Sequence, residues 1–138
     1  MPTFKSAKAL KAYLKKAADA LQAETLITVQ SELGSQRISP KDTGRFRSSW
    51  FAAEGVASTA TAPEGTDAAN EDAKSLRVDS SKTYHLTNNL PYAQRISIAG
   101  PENMIKSQPT TWFKDFRDFR IPRIQAAAAK SVKAEFEL

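Results

Sequence analysis

The residues able to do covalent chemistry are few, and they do not converge. The chain has a single histidine, His85, and no cysteine. His85 sits beside Tyr84 in a segment that reads as a strand, with no thiol to activate. None of the serines stands in a G-x-S-x-G turn. The carboxylates are scattered, and neither H-E-x-x-H nor EF-hand spacing occurs. The five glycines each stand alone, so there is no Walker A loop and no G-x-G-x-x-G. The expectation is a protein that is not an enzyme and has no cofactor or metal.

A second kind of chemistry is more visible. Arg45 and Arg47 flank Phe46, and Arg117, Arg120 and Arg123 interleave with Phe116 and Phe119. Cations beside aromatics can grip phosphate and stack on bases. Against this, Lys114, Asp115, Arg117 and Asp118 alternate in sign, which is the pattern of a solvated, ion-paired helix face. The net charge is +5. Lys5, Lys8, Lys11, Lys15 and Lys16 crowd the start of the chain, and Glu64, Asp67, Glu71 and Asp72 lie in the middle. A basic end suits phosphate or an acidic partner.

The elements that must position these residues follow from periodicity. The 138 residues suit one domain, 1–138. Alanine supplies much of the 41% apolar content, so large core side chains are scarce and an oligomer would make up the shortage. No run of roughly 18 apolar residues exists, so no membrane partner is expected. The basic N-terminus lacks the apolar stretch of a signal peptide.

Leu10, Leu14, Ala17, Leu21, Leu26, Val29 and Leu33 recur at helical spacing, predicting a long helix from Ser6 to Leu33. Ser6 is its N-cap and Gly34 its C′ residue. The β-branched run Thr25–Val29 weakens the helix there. A strand is expected from Trp50 to Ala57, bulged at Gly55. Residues 58–75 hold no large apolar side chain and read as a long exposed hairpin loop. Leu76–Val78 and Tyr84–Thr87 alternate as strands. A short helix is expected from Pro91 to Ile98, capped by Asn88 or Asn89. Trp112, Phe113, Phe116 and Phe119 begin an aromatic stripe on a last helix that runs to the C-terminus. Pro122 should bend that helix near Phe119. The fold class is α+β: a small antiparallel sheet packed with a long N-terminal helix and a long, Pro-kinked C-terminal helix.

Two stretches go further. "DTGRFRSSW", Asp42 to Trp50, is followed by "NNLPYAQRI", Asn88 to Ile96. The pair, in this order, resembles the tail-component family of long-tailed bacteriophages, the neck or tail-completion proteins. Asp42, Thr43, Gly44, Arg45, Phe46, Arg47, Ser49 and Trp50 fit one motif. Asn88, Asn89, Leu90, Pro91, Tyr92 and Ala93 fit the other. Ser97 departs from the pattern, since relatives often carry an acid there, and Pro101 and Met104 echo a later segment loosely. The resemblance implies a structural virion protein, made in the host bacterial cytoplasm. It would form a ring, commonly hexameric, between head connector and tail, with DNA passing non-specifically through the lumen. Interface centres favour aromatics and arginine. That makes Arg45, Arg47, Trp50, Tyr92 and Arg95 interface candidates, although Trp50 and Tyr92 could equally fill the core. The alternative is a small basic nucleic-acid-binding protein.

Overall fold

The residues described in the computed structural model are 2–35, 44–91, 93 and 112–138. The expected helix Pro91–Ile98 lies outside them, apart from Pro91 and Ala93. So do Asp42, Thr43, Tyr92 and Arg95.

Helix α1 spans Ala7–Leu33. Ser6 Oγ accepts the Ala9 N–H at 3.1 Å, satisfying one of the amides that a helix start leaves free. The β-branched run does not interrupt it. Thr25 donates its hydroxyl to the Leu21 carbonyl at 2.8 Å, one way a helical threonine satisfies its oxygen. Gly34 departs from expectation. Its φ is −78°, in the right-handed region, so no left-handed cap is made. Glycine is needed there for space: a Cβ would lie 2.8 Å from the Ala69 methyl.

A single helical turn, α2, covers Arg45–Ser48 and leads into strand β1, Trp50–Glu54. Strand β2 is Tyr84–Asn88. The two pair antiparallel, with Trp50 opposite Asn88, Ala52 opposite Leu86 and Glu54 opposite Tyr84. The strand expected at Leu76–Val78 is absent. Residues Asp72–Ser75 instead form a 3₁₀ turn that packs on α1 and β1. Tertiary polar contacts through Asp72 outweigh the weak alternation of three residues.

The C-terminal helix is built in three pieces: α3 at Trp112–Asp115, a π-helical turn at Phe116–Arg120, and α4 at Ile121–Glu135. The Ile121 N–H donates to the Phe116 carbonyl five residues back. Pro122 therefore falls in the first turn of α4, where a missing N–H costs nothing. The wider turn also corrects the aromatic stripe. It stacks Ile121 above Phe116, after which Ile124, Ala128 and Val132 continue the buried face. Phe119, expected in that stripe, is rotated out and is 65% exposed.

The core gathers Leu33, Phe46, Trp50, Leu90, Trp112, Phe116 and Ile124, with Val29, Leu86, Phe113 and Ile121 packed around it. Aromatic rings hold its centre. Phe46 meets Trp50 and Trp112 edge to face, at 5.9 and 6.0 Å between centroids. Phe113 stacks on Trp50 at 6.0 Å. Helices α1 and α4 run antiparallel. At one end of the pair Tyr13 donates its hydroxyl to the Phe136 carbonyl at 2.6 Å, and at the other Arg120 bonds Glu32 at 2.6 Å. Among the described residues, no helix is long and apolar enough to cross a membrane.

Candidate functional site

The two sequence motifs meet. Gly44 opens the first in the left-handed region, φ +86°, where a side chain is strained. A Cβ there would also overlap the Asp67 carboxyl. This sharp entry lets α2 start at Arg45. Ser48 closes the turn, donating its N–H and its hydroxyl to the Gly44 carbonyl at 3.1 and 2.8 Å.

The motif arginines are spent inside the chain. Arg45 Nε donates to the Ala62 carbonyl at 2.8 Å, while the Ala62 N–H donates to Ser49 Oγ at 3.1 Å. Both backbone groups of a buried residue in the long connection are thereby satisfied by the motif. Arg47 donates to the Gly34 carbonyl at 3.1 Å, at the end of α1, where a cation also meets the negative end of the helix dipole. Its other nitrogen donates to the Asp67 carbonyl and to Asp67 Oδ1, the latter at 3.0 Å. Trp50 is buried in the core and 6% exposed. These three interface candidates thus build the fold, and their side chains are not free surface.

The second motif closes on the first. Asn88 donates Nδ2–H to the Phe46 carbonyl at 2.8 Å, and its Oδ1 accepts the Leu90 N–H at 3.3 Å. Asn89 donates to the Ser58 and Ala60 carbonyls at 2.6 and 3.2 Å. Leu90 then turns into the core, and the exposed Pro91 follows in a turn. The expected exposed loop is therefore tied down at several points. Asn89 and Arg45 hold residues 58–62, Arg47 holds Asp67, and Ala62 and Ala73 are buried.

A buried polar network completes the junction. Gln30 is 1% exposed. Its Nε2 donates to the Trp50 carbonyl at 3.0 Å and to Asp72 Oδ1, and its Oε1 accepts the Ala73 N–H at 2.9 Å. Asp72 Oδ1 also accepts the Ala52 N–H at 3.1 Å. Sequence reasoning passed over Gln30 and saw Asp72 only as one of the acids in the middle of the chain. The signal was there for Gln30: it is a polar side chain between Leu26 and Leu33 on the apolar face of α1.

A smaller polar cluster joins α1 to the start of the second strand. Lys15 Nζ bonds Asp19 and Asp79, each at 2.7 Å. The hydrogen bond from Lys15, with those from Ser81, holds the Asp79 carboxyl far below its ordinary range, and Asp19 is lowered chiefly by Lys15 as well. Lys82 is raised by its 2.8 Å bond to Glu54. His85 Nε2 lies 3.0 Å from the Gly55 carbonyl, at the strand's end. Among the described residues, no three His, Asp or Glu side chains are grouped closely enough to hold a metal ion.

The arginines beside Phe116 and Phe119 do not form a basic strip. Arg117 pairs with Asp118 at 2.9 Å, Arg120 with Glu32, and Phe116 is buried. Lys8, Lys11 and Lys16 of α1 stay exposed, as does Lys5 just before the helix. No family model, curated protein or solved structure matches the chain.

Proposed function

We propose that the chain is a structural virion component of a tailed bacteriophage, a ring-forming neck or tail-completion protein that joins head connector to tail and lets DNA pass. One observation carries this reading. The described parts of the two stretches that resemble the family's motifs, Gly44–Trp50 and Asn88–Pro91, are far apart in sequence and are joined by the Asn88–Phe46 bond. Residues that recur together for a reason of folding are expected to meet in this way. The protein acts by binding its own copies, neighbouring connector and tail proteins, and non-specifically the genome.

With Arg45, Arg47 and Trp50 committed to the fold, Tyr92 and Arg95 stay as ring-surface candidates from the sequence. Phe119, 65% exposed beside Arg120 and Arg123, is the stronger candidate. A head-to-tail ring needs two different patches that close by rotation. Electron microscopy of the chain mixed with connector and tail parts tests the reading. A closed symmetric ring, hexameric on this proposal, is the expected image. Particles that assemble without the chain in any ring would overturn it.

The second reading, a small basic nucleic-acid-binding protein, rests on the exposed lysines of α1. Steep salt-dependent retention of duplex DNA by the isolated chain would favour it.

A further inference from the structure

The cations of the chain fall into two groups. Arg45, Arg47, Lys74, Lys82, Arg117 and Arg120 each face a carboxylate at 4.0 Å or less. Lys8, Lys11, Lys130 and Lys133 are exposed, and none of them pairs with a carboxylate among the described residues.

The helix pair brings these four lysines together. Tyr13 bonds the Phe136 carbonyl, so the start of α1 lies beside the end of α4. Ala18 of α1 and Ala126 and Ala129 of α4 line one flank of the pair. Residues three, four and seven apart share a helix face. On α1, Leu14 and Lys11 therefore continue the line of Ala18 outwards, with Lys8 three residues earlier. On α4, Lys133 continues the line of Ala126 and Ala129, with Lys130 beside it. From Ala7 to Lys16 only Leu10 and Tyr13 are part-buried, so this end of α1 stands clear of the sheet. It lies about 30 Å along the C-terminal helix from Trp112, where the described chain resumes.

Nothing on the flank neutralises the charge. No acid occurs on α1 before Asp19, or on α4 from Ile121 to Ala134. Asp19 and Asp79 are taken by Lys15, each at 2.7 Å. Among the described residues, Glu135 and Glu137 pair with none of the four lysines. Such a face burdens the free chain. Neighbouring like charges on a helix repel. Lys8 also stands in the first turn of α1, at the positive end of the helix dipole, with no acid beside it. An anion from outside would relieve both.

We infer that Lys8, Lys11, Lys130 and Lys133 form the surface that meets duplex DNA, each lying on a backbone phosphate. The character of the flank favours a polyphosphate over an acidic protein. Protein interfaces concentrate aromatics and arginine and are poor in lysine. Here the large rings are spent on one another, Phe4 on Tyr13 at 5.0 Å and Tyr13 on Phe136 at 5.4 Å. Leu14, 44% exposed, is the one large apolar side chain open between the lysines among the described residues. Lysine binds phosphate as a point charge and needs no fixed fork geometry. A duplex offers one charge per roughly 1.7 Å of its axis, so each lysine finds a phosphate in any register. The contact is therefore independent of base sequence. This inference deepens both functional readings, which call for nucleic acid and leave its surface open, and it rests on them for the identity of the polyanion.

Fluorescence anisotropy of the free chain with two unrelated labelled duplexes tests it. Equal affinity for both is expected, falling roughly 100-fold between about 50 and 200 mM salt, as four phosphate contacts require. Lys8→Gln, Lys11→Gln, Lys130→Gln and Lys133→Gln should each lower the salt slope by about 1. Lys114→Gln removes the same charge at the far end of the helix and should leave the slope unchanged. Lysine acetylation read by mass spectrometry needs no variant: duplex should protect the four lysines and leave Lys114 reactive. No binding at low salt, or Lys130→Gln and Lys133→Gln chains that bind like wild type, would overturn the inference. So would an equal loss of slope from Lys114→Gln, which would make net charge the cause. Polyglutamate bound as tightly as duplex would give the flank to an acidic protein instead. Rings that close while the free chain binds no duplex would refute this surface and leave the ring reading standing. Duplex binding through the flank without rings would do the reverse.

Discussion

Asn88 holds the carbonyl of Phe46 at 2.8 Å, tying the end of β2 to the one-turn helix that precedes β1. The same side chain accepts the Leu90 N–H. Removing it leaves the Leu90 amide without that partner and the part-buried Phe46 carbonyl with only the Ser49 N–H at 3.2 Å. Such losses cost about 1–3 kcal/mol. Asn88→Ala is expected to lower the unfolding free energy by that amount in a urea titration. Asn88→Asp should cost at least as much, since it sets a carboxylate against a carbonyl. A loss under about 0.5 kcal/mol, the range of an ordinary surface change, would refute the clamp.

Gly44 separates two costs. Its φ of +86° strains any residue with a Cβ, and that Cβ would strike Asp67. The left-handed region alone costs roughly 1–2 kcal/mol per residue. Gly44→Ala should exceed that figure. In a double-mutant cycle with Asp67→Ala, the carboxyl overlap disappears, while the 3.0 Å approach to the Asp67 Cα and the backbone strain remain. Coupling of about 0.5 kcal/mol or more between the two sites is the expected outcome. Simple additivity would mean that the carboxyl moves aside freely.

Trp50 tests where the aromatic area of the first motif is used. It packs on Phe46 and Phe113 and is 6% exposed. Trp50→Ala should remove about 3–5 kcal/mol of stability, as large-to-small core changes do. Near-UV circular dichroism should lose its aromatic signal with it. If the variant kept its stability and lost only assembly, Trp50 would be an interface residue after all.

The elements that could be read in the sequence are those with long periods. Seven apolar residues at helical spacing and a serine cap defined α1 to within a residue at each end. Tyr84–Thr87 was legible by alternation and misses only Asn88. The π turn was not legible. Trp112, Phe116 and Phe119 fit an ordinary helix, and only Pro122 hinted at a change, without saying that the turn before it would widen. The 3₁₀ turn at Asp72 was hidden for another reason: it is held by Gln30, 42 residues away in sequence. At the corner, residue types were visible and their partners were not. An arginine beside a phenylalanine reads alike whether it faces a neighbour, a phosphate or the carbonyls of Gly34 and Ala62.

Asp79 gives the chain a pH signature. Its carboxyl bonds Lys15 and Ser81 and is held far below the ordinary value near 4. A depressed carboxylate contributes stability that is complete above its unfolded value and is lost as the pH falls towards the folded one. Asp79→Asn removes that contribution at every pH. The thermal midpoint of the variant should therefore lie below wild type at pH 6, with the gap narrowing from about pH 4 downwards. The group is exposed, so added salt should shrink the gap as well. A gap that widens in acid would contradict the assignment.

Phe119 is the prediction that bears on function. The π turn expels a large aromatic to 65% exposure at the edge of an otherwise buried face. A helix that kept ordinary register would have placed it nearer the core. Its exposure brings the monomer no packing, so Phe119→Ser should change stability by no more than about 0.5 kcal/mol. Anchors at interface centres behave differently, often costing 2 kcal/mol or more in binding, roughly thirtyfold or above. On the ring proposal the variant should fold, keep its thermal midpoint, and fail to close rings that the wild-type chain closes with connector and tail parts. Exposed apolar side chains also arise singly without purpose. Rings of unchanged yield and stability from Phe119→Ser would place it in that group and move the search to Leu14 and Val56, which are exposed as well.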